Sequence, residues 1–191
     1  MATIKKSSKG YLEGQFLIAT PTLQESCFSK TVVYLCSHDA TGAMGLIINQ
    51  TLDIPDAEKV LKQFRIPTQK RKKMAVHFGG PVDMVRGFVL HSTDYQSEDT
   101  FAMNEDIALT SSIDILRDIV EGTGPKKHLL ALGYSGWTAN QLEREIEANS
   151  WLSVPASTEI IFDSKNEVKW QKAAKSVGVD LLKFSDQAGH A

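Results

Sequence analysis

The chain has 191 residues, of which 42% are apolar and 23% charged, and its formal net charge is only -2. That length supports one domain with a full hydrophobic core, burying roughly 70% of the surface the unfolded chain exposes. No apolar run reaches the roughly 18–20 residues of a membrane-spanning helix, and the near-neutral charge removes the strongest electrostatic argument for a nucleic-acid binder.

Residues 1–10 are polar and lysine-rich, with no apolar stretch ahead of a small-residue cleavage site, so they read as a loose segment before a single domain over 11–191 in a cytoplasmic protein. Gly14 to Thr20 reads as a short buried strand stopped by Pro21, which lacks the N–H a ladder needs. Lys30 to His38 and Ala43 to Asn49 are β-branched, nearly continuous apolar runs. They predict two strands buried on both faces and joined through Asp39–Gly42. Cys27 and Cys36 are the only cysteines; their spacing builds no zinc site, and both are expected to stay reduced.

Asp53 to Phe64 has an acidic start, an early proline and an Ala57, Val60, Leu61, Phe64 stripe, which predict an amphipathic helix. Lys70, Arg71, Lys72 and Lys73 then form a basic run, a solvated loop or a phosphate contact. Residues 75–78 and 87–92 read as strands flanking a glycine- and proline-rich turn; paired as a hairpin about Met84, they would set His77 and His91 across from each other. An acidic loop over 94–106 precedes a helix capped by Ser111 and ended by Gly122.

From Leu129 an apolar run leads into Gly133, Tyr134, Ser135, Gly136 and Trp137, read as a tight turn before a helix with a Thr138–Gln141 capping box. Thr158 to Asp163 reads as a last strand and Glu167 to Ser176 as a last helix ended by Gly178. Hairpins mixed with helices favour an α+β fold, mainly antiparallel, over a doubly wound parallel sheet.

The chemical candidates are few. Gly133 to Gly136 has neither the G-x-S-x-G spacing of a nucleophile elbow nor the Lys of a P-loop, so it offers at most backbone N–H groups at a helix start, suited to an anion. Gly79 and Gly80 read as a tight turn or a weak phosphate loop, and Arg86 beyond them could pair with a carboxylate, a phosphate or Asp83. Among five histidines, His38, His77 and His91 sit in apolar surroundings where one could serve in acid–base work. With no CxxC and no HExxH, neither a metal nor a cofactor is expected.

The segments GQFLIATPTL, GAMGLIIN, VHFGGPVDMVRGFVLHS, LGYSGWTANQLE and the closing Gly189-His190-Ala191 occur in an order that resembles the AlgH/YqgE family of bacterial proteins from Tyr11 to Ala191. The resemblance implies a small closed, barrel-like sheet surrounded by helices. Its members are uncharacterised, some carrying the label of transcriptional regulator, and no catalytic residue transfers. The leading expectation is a regulatory or ligand-binding module taking a small anionic ligand or a protein partner. Its binding residues would come from His38, Gly79, Gly80, Arg86, His91, Tyr134, Ser135, Gly136 and Trp137. The alternatives are a hydrolase or transferase using His77 or His91 beside Ser135 or Tyr134, and a weak nucleic-acid binder using Lys70 to Lys73.

Overall fold

The computed structural model describes residues 10–23, 26–53, 59, 62–63, 65–66 and 74–181. Most of the helix expected over 53–64, and all of the basic run Lys70, Arg71, Lys72 and Lys73, lie outside the described residues. The strands are β1 (Gln15–Ala19), β2 (Val32–Asp39), β3 (Gly42–Ile47), β4 (Val76–Phe78), β5 (Val82–Ser92), β6 (Thr100–Ala102), β7 (Ile107–Thr110), β8 (His128–Thr138) and β9 (Trp151–Pro155). The described helices are α1 (Asp114–Glu121), α2 (Gln141–Glu147) and α3 (Asn166–Lys175), with a 3₁₀ turn at Pro21–Leu23 and a π-helical turn at Glu159–Asp163.

All nine strands join one sheet in the order β6-β7-β5-β8-β3-β2-β1-β9, with β4 attached to β8 off this path. Every pairing is antiparallel except that of β4 with β8. The sheet curls into a half-barrel and stays open, which corrects the closed barrel that the resemblance implied. Its two ends are the three-residue β6 and β9, which closes on Pro155; such short or proline-bearing strands make poor partners for further pairing.

Strand alternation sorts the apolar residues onto two faces. One continuous cluster spans the sheet, with Phe16 and Ile18 of β1, Tyr34 of β2, Leu46 of β3, Phe88 and Leu90 of β5 and Ala131 of β8; we call this the inner face, and Trp170, Ala173 and Ala174 of α3 cover part of it. The outer face carries two separate clusters. One centres on Trp137, Trp151 and Leu142 of α2, the other on Val89, Leu130 and Ile115 and Leu116 of α1. Strands β2 and β3 are buried on both faces, as their unbroken apolar runs required.

Strand β8 is the axis of the fold. On one side it pairs first with β4 (Val76↔Leu130 to Phe78↔Leu132) and then with β3 (Gly45↔Ser135 to Gly42↔Thr138), while β5 lies along the other side. The chain therefore steps across β8 between β4 and β5, and the two do not form the expected hairpin. His77 lies opposite Ala131 and His91 opposite His128, so they are not cross-strand neighbours. The crossing explains the glycines. A Cβ on Gly79 would sit 2.2 Å from the Gly133 carbonyl oxygen, one on Gly80 2.2 Å from the Tyr134 carbonyl carbon, and one on Gly133 2.4 Å from the Gly80 oxygen. Only hydrogen fits at those three positions.

Three further segments depart from the sequence reading. Gly133 to Trp137 is strand interior, not a turn, and Gly133 (φ +68) is a kink within it. In place of the strand expected over 158–163, Glu159–Asp163 form the π-helical turn, burying the adjacent Ile160 and Ile161, while Trp151–Pro155 supplies the edge strand instead. The acidic loop contains β6, which pairs with β7 around Asn104.

Candidate functional site

The kink at Gly133 decides which side chains of β8 face inward. Leu129 and Ala131 belong to the inner cluster and Leu130 and Leu132 to the outer one. After Gly133 the alternation resumes one residue out of step, so Tyr134 packs on the inner cluster and Trp137 on the outer. Opposite the kink, β5 bulges. Its register jumps from Val82↔Tyr134 to Gly87↔Leu132, leaving Asp83 to Arg86 looped out and exposed.

Between this bulge, β8 and the β6–β7 hairpin lies an inner-face cavity of about 360 Å³ lined by Met44, Arg86, Phe88, Phe101, Leu109, Ser111 and Tyr134. The Arg86 guanidinium carbon sits 5.2 Å from the centre of the Phe88 ring. Tyr134 meets the same ring edge-on at 6.0 Å. A Cβ at Gly136 would lie 3.3 Å from Tyr134 Cε2, so that glycine gives the tyrosine ring its resting place. Arg86 forms no ion pair with Asp83 or any other carboxylate among the described residues, and the hydroxyls of Tyr134 and Ser111 have no hydrogen-bond partner among them. Arg86, Tyr134 and Ser111 are the polar members of an otherwise apolar lining, in which Phe101 is 66% exposed.

The other nominated residues are placed elsewhere. His38 is buried; its Nδ1 accepts the Leu12 N–H at 3.0 Å, which fixes the proton on Nε2, and Nε2 donates to Glu143 Oε1 at 3.0 Å. His91 is fully buried on the outer face. Nδ1 donates to the Ser92 carbonyl at 2.9 Å, and Nε2 accepts from Thr110 Oγ1 at 2.8 Å, whose oxygen in turn meets Thr100 Oγ1 at 2.7 Å. Burial pushes the pKa of His91 down, in keeping with that neutral tautomer. Ser135 is fully buried and donates to the Gly79 carbonyl at 3.2 Å. Trp137 packs edge-on against Trp151 at 5.8 Å. Gly79 and Gly80 are spent on the strand crossing.

Of the nominated residues, the structure brings Arg86 and Tyr134 to the cavity, with Gly136 beside it, and sets Ser135 and Trp137 on the opposite face. The neighbouring stretches do come together, since Gly42 pairs with Thr138 and Val82 with Tyr134, but strand alternation sends Ser135 and Trp137 the other way. Met44, Phe88, Phe101, Leu109 and Ser111 were not among the nominated residues; Phe101, an aromatic in the acidic loop over 94–106, was the available signal. No histidine bonds to Ser135 or Tyr134 among the described residues, so the pairing that the hydrolase or transferase reading asks for is not formed there.

The AlgH-like family model matches residues 16–182. A UPF0301 protein of Mesorhizobium japonicum is 48% identical over 193 residues, covering 97% of this chain and 95% of that one. Another, from Rhodospirillum rubrum, is 42% identical with both chains covered in full (100%). The solution structure of the AlgH protein from Pseudomonas aeruginosa superposes with a TM-score of 0.78 at 42% identity, over 98% of this chain and 100% of that one. A crystal structure of a Corynebacterium diphtheriae protein shares the fold at 16% identity, with a TM-score of 0.72, over 93% of this chain and 92% of that one.

Proposed function

This chain belongs to the AlgH-like family, and on that footing we propose that it is a cytoplasmic regulatory module that binds a small anionic ligand in the inner-face cavity. The observation that carries the reading is Arg86, a guanidinium held over Phe88 at the cavity with no carboxylate partner among the described residues. Small-molecule sites are concave, mostly apolar and furnished with a few convergent polar groups, and this hollow has that make-up. A label of transcriptional regulator fits such a module if ligand occupancy is what is communicated, without direct DNA contact. No described helix is long and apolar enough to cross a membrane, which is compatible with the cytoplasmic placement.

The test is a thermal-shift screen of the full chain against small anions, because a ligand that binds only the folded state raises the melting temperature. At least one class should raise it in the wild type and fail to do so in Arg86→Gln. Equal shifts in both proteins would remove the site from the cavity.

A further inference from the structure

Resting on the reading above, we infer that the ligand is a monoanionic carboxylate carrying a compact apolar or aromatic body, and not a phosphate ester. Among the described residues the cavity presents one cation, Arg86, and no other described lining residue bears a charge. The guanidinium's face is taken by Phe88, which leaves its N–H edge for a partner; two parallel N–H groups match the two oxygens of a carboxylate. The hydroxyls of Tyr134 and Ser111 can supplement that pair. A phosphate monoester carries close to two charges and three strong acceptor oxygens. Sites for it draw on several cations or a cradle of backbone N–H groups, and neither is found among the described residues that line the cavity. The glycine segments that could have formed such a cradle, Gly79-Gly80 and Gly133, are packed against one another in the strand crossing.

The remainder of the wall is carbon. Met44, Phe88, Phe101 and Leu109 line one side of a hollow that stays open to solvent, and Phe101 is left 66% exposed, an apolar surface that a ligand body would remove from water. At about 360 Å³ the cavity is near the lower end of the roughly 300–1,000 Å³ range of small-molecule sites, which suits a ring or short branched chain better than a long acyl tail.

The experiment is isothermal titration of the full chain, wild type, Arg86→Gln and Phe101→Ala, with phenylacetate, its neutral isostere phenylacetamide, phenyl phosphate and inorganic phosphate. Phenylacetate should bind the wild type, about tenfold or more weakly in Arg86→Gln and several-fold more weakly in Phe101→Ala. Phenylacetamide should bind about tenfold or more weakly than phenylacetate, and inorganic phosphate should give no heat. Phe101 lies on a three-residue edge strand, so its truncation leaves the core intact and keeps the test independent of folding. If phenyl phosphate binds more tightly than phenylacetate in an Arg86-dependent manner, the carboxylate inference falls and the cavity reading stands. If no probe binds, or binding is indifferent to both substitutions, both fall.

Discussion

A single carboxylate oxygen, Oε2 of Glu145, accepts the indole N–H of Trp137 and of Trp151, each at 2.8 Å, while its Oε1 accepts Gln141 Nε2 at 2.9 Å. Glu145→Ala leaves two partly buried indole donors without a partner and should cost about 2–4 kcal/mol, read from urea unfolding, with a shift in tryptophan emission. His77 offers a titration test. It is buried, its Nδ1 donating to the Leu130 carbonyl at 3.2 Å and its Nε2 accepting from Asn166 Nδ2 at 3.2 Å, and burial, then the nearby Lys169 charge, brings its pKa down to about 4. Between about pH 6.5 and 4 the unfolded chain binds the proton and the folded one resists it, so stability falls as pH drops through that window. The loss from this group is up to about 3 kcal/mol, and it should be absent from the difference curve of a His77→Gln variant. Lys169 gives the opposite end of the scale. Its Nζ donates to the Ile48 and Ile161 carbonyls at 2.7 and 2.8 Å, and burial lowers its pKa to about 8. Stability therefore gains as pH rises from about 8 towards 10.5, where the unfolded chain still holds the proton.

At the scale of elements, the crossing of the β4–β5 connection over β8 makes a sharper demand than the glycine after the last described helix. Gly80 has φ +150 and backbone of Tyr134 where a Cβ would go; Gly178 has φ +76 and nothing within 4 Å of that position. Gly178→Ala should therefore cost only about 1 kcal/mol, the conformational penalty alone. Gly80→Ala must displace a strand and should cost about 3 kcal/mol or more, seen as a fall in the denaturation midpoint or in loss of folded protein. The helices show how partial a local signal can be. Gly122 ends α1 in the left-handed conformation at φ 85, as its position required. The Thr138–Gln141 motif survives only by half: Gln141 Oε1 accepts the Thr138 N–H at 3.0 Å, while Asn140, at φ 59, is the residue that opens α2.

Over the whole molecule, β8 contributes side chains to all three clusters, Ala131 inside and Trp137 and Leu130 outside, so neither half of the sheet has a core of its own. Unfolding should accordingly be one cooperative transition. Tryptophan emission, which reports mainly the outer cluster around Trp137 and Trp151, should coincide with far-ultraviolet circular dichroism across the urea curve; two separated transitions would mean two units. The cavity belongs to this scale too, since its lining comes from β3, β5, β6, β7 and β8 and the segment just after β7.

The amino-acid sequence by itself determined the strands whose runs are apolar on both faces, such as Val32–Asp39, the α+β class, the helix Asn166–Lys175 and the family. Periodicity and composition act within a few residues, and that is the range over which they decide structure. Which strand lies beside which was settled only by the tertiary structure, because a glycine that opens a turn and a glycine that lets one strand cross another look alike in a sequence. The kink at Gly133 is the case in point. By shifting the alternation of β8 by one residue, it turns Tyr134 towards Arg86 and the cavity while burying Ser135 against Gly79, a division between neighbours that no spacing rule could have drawn.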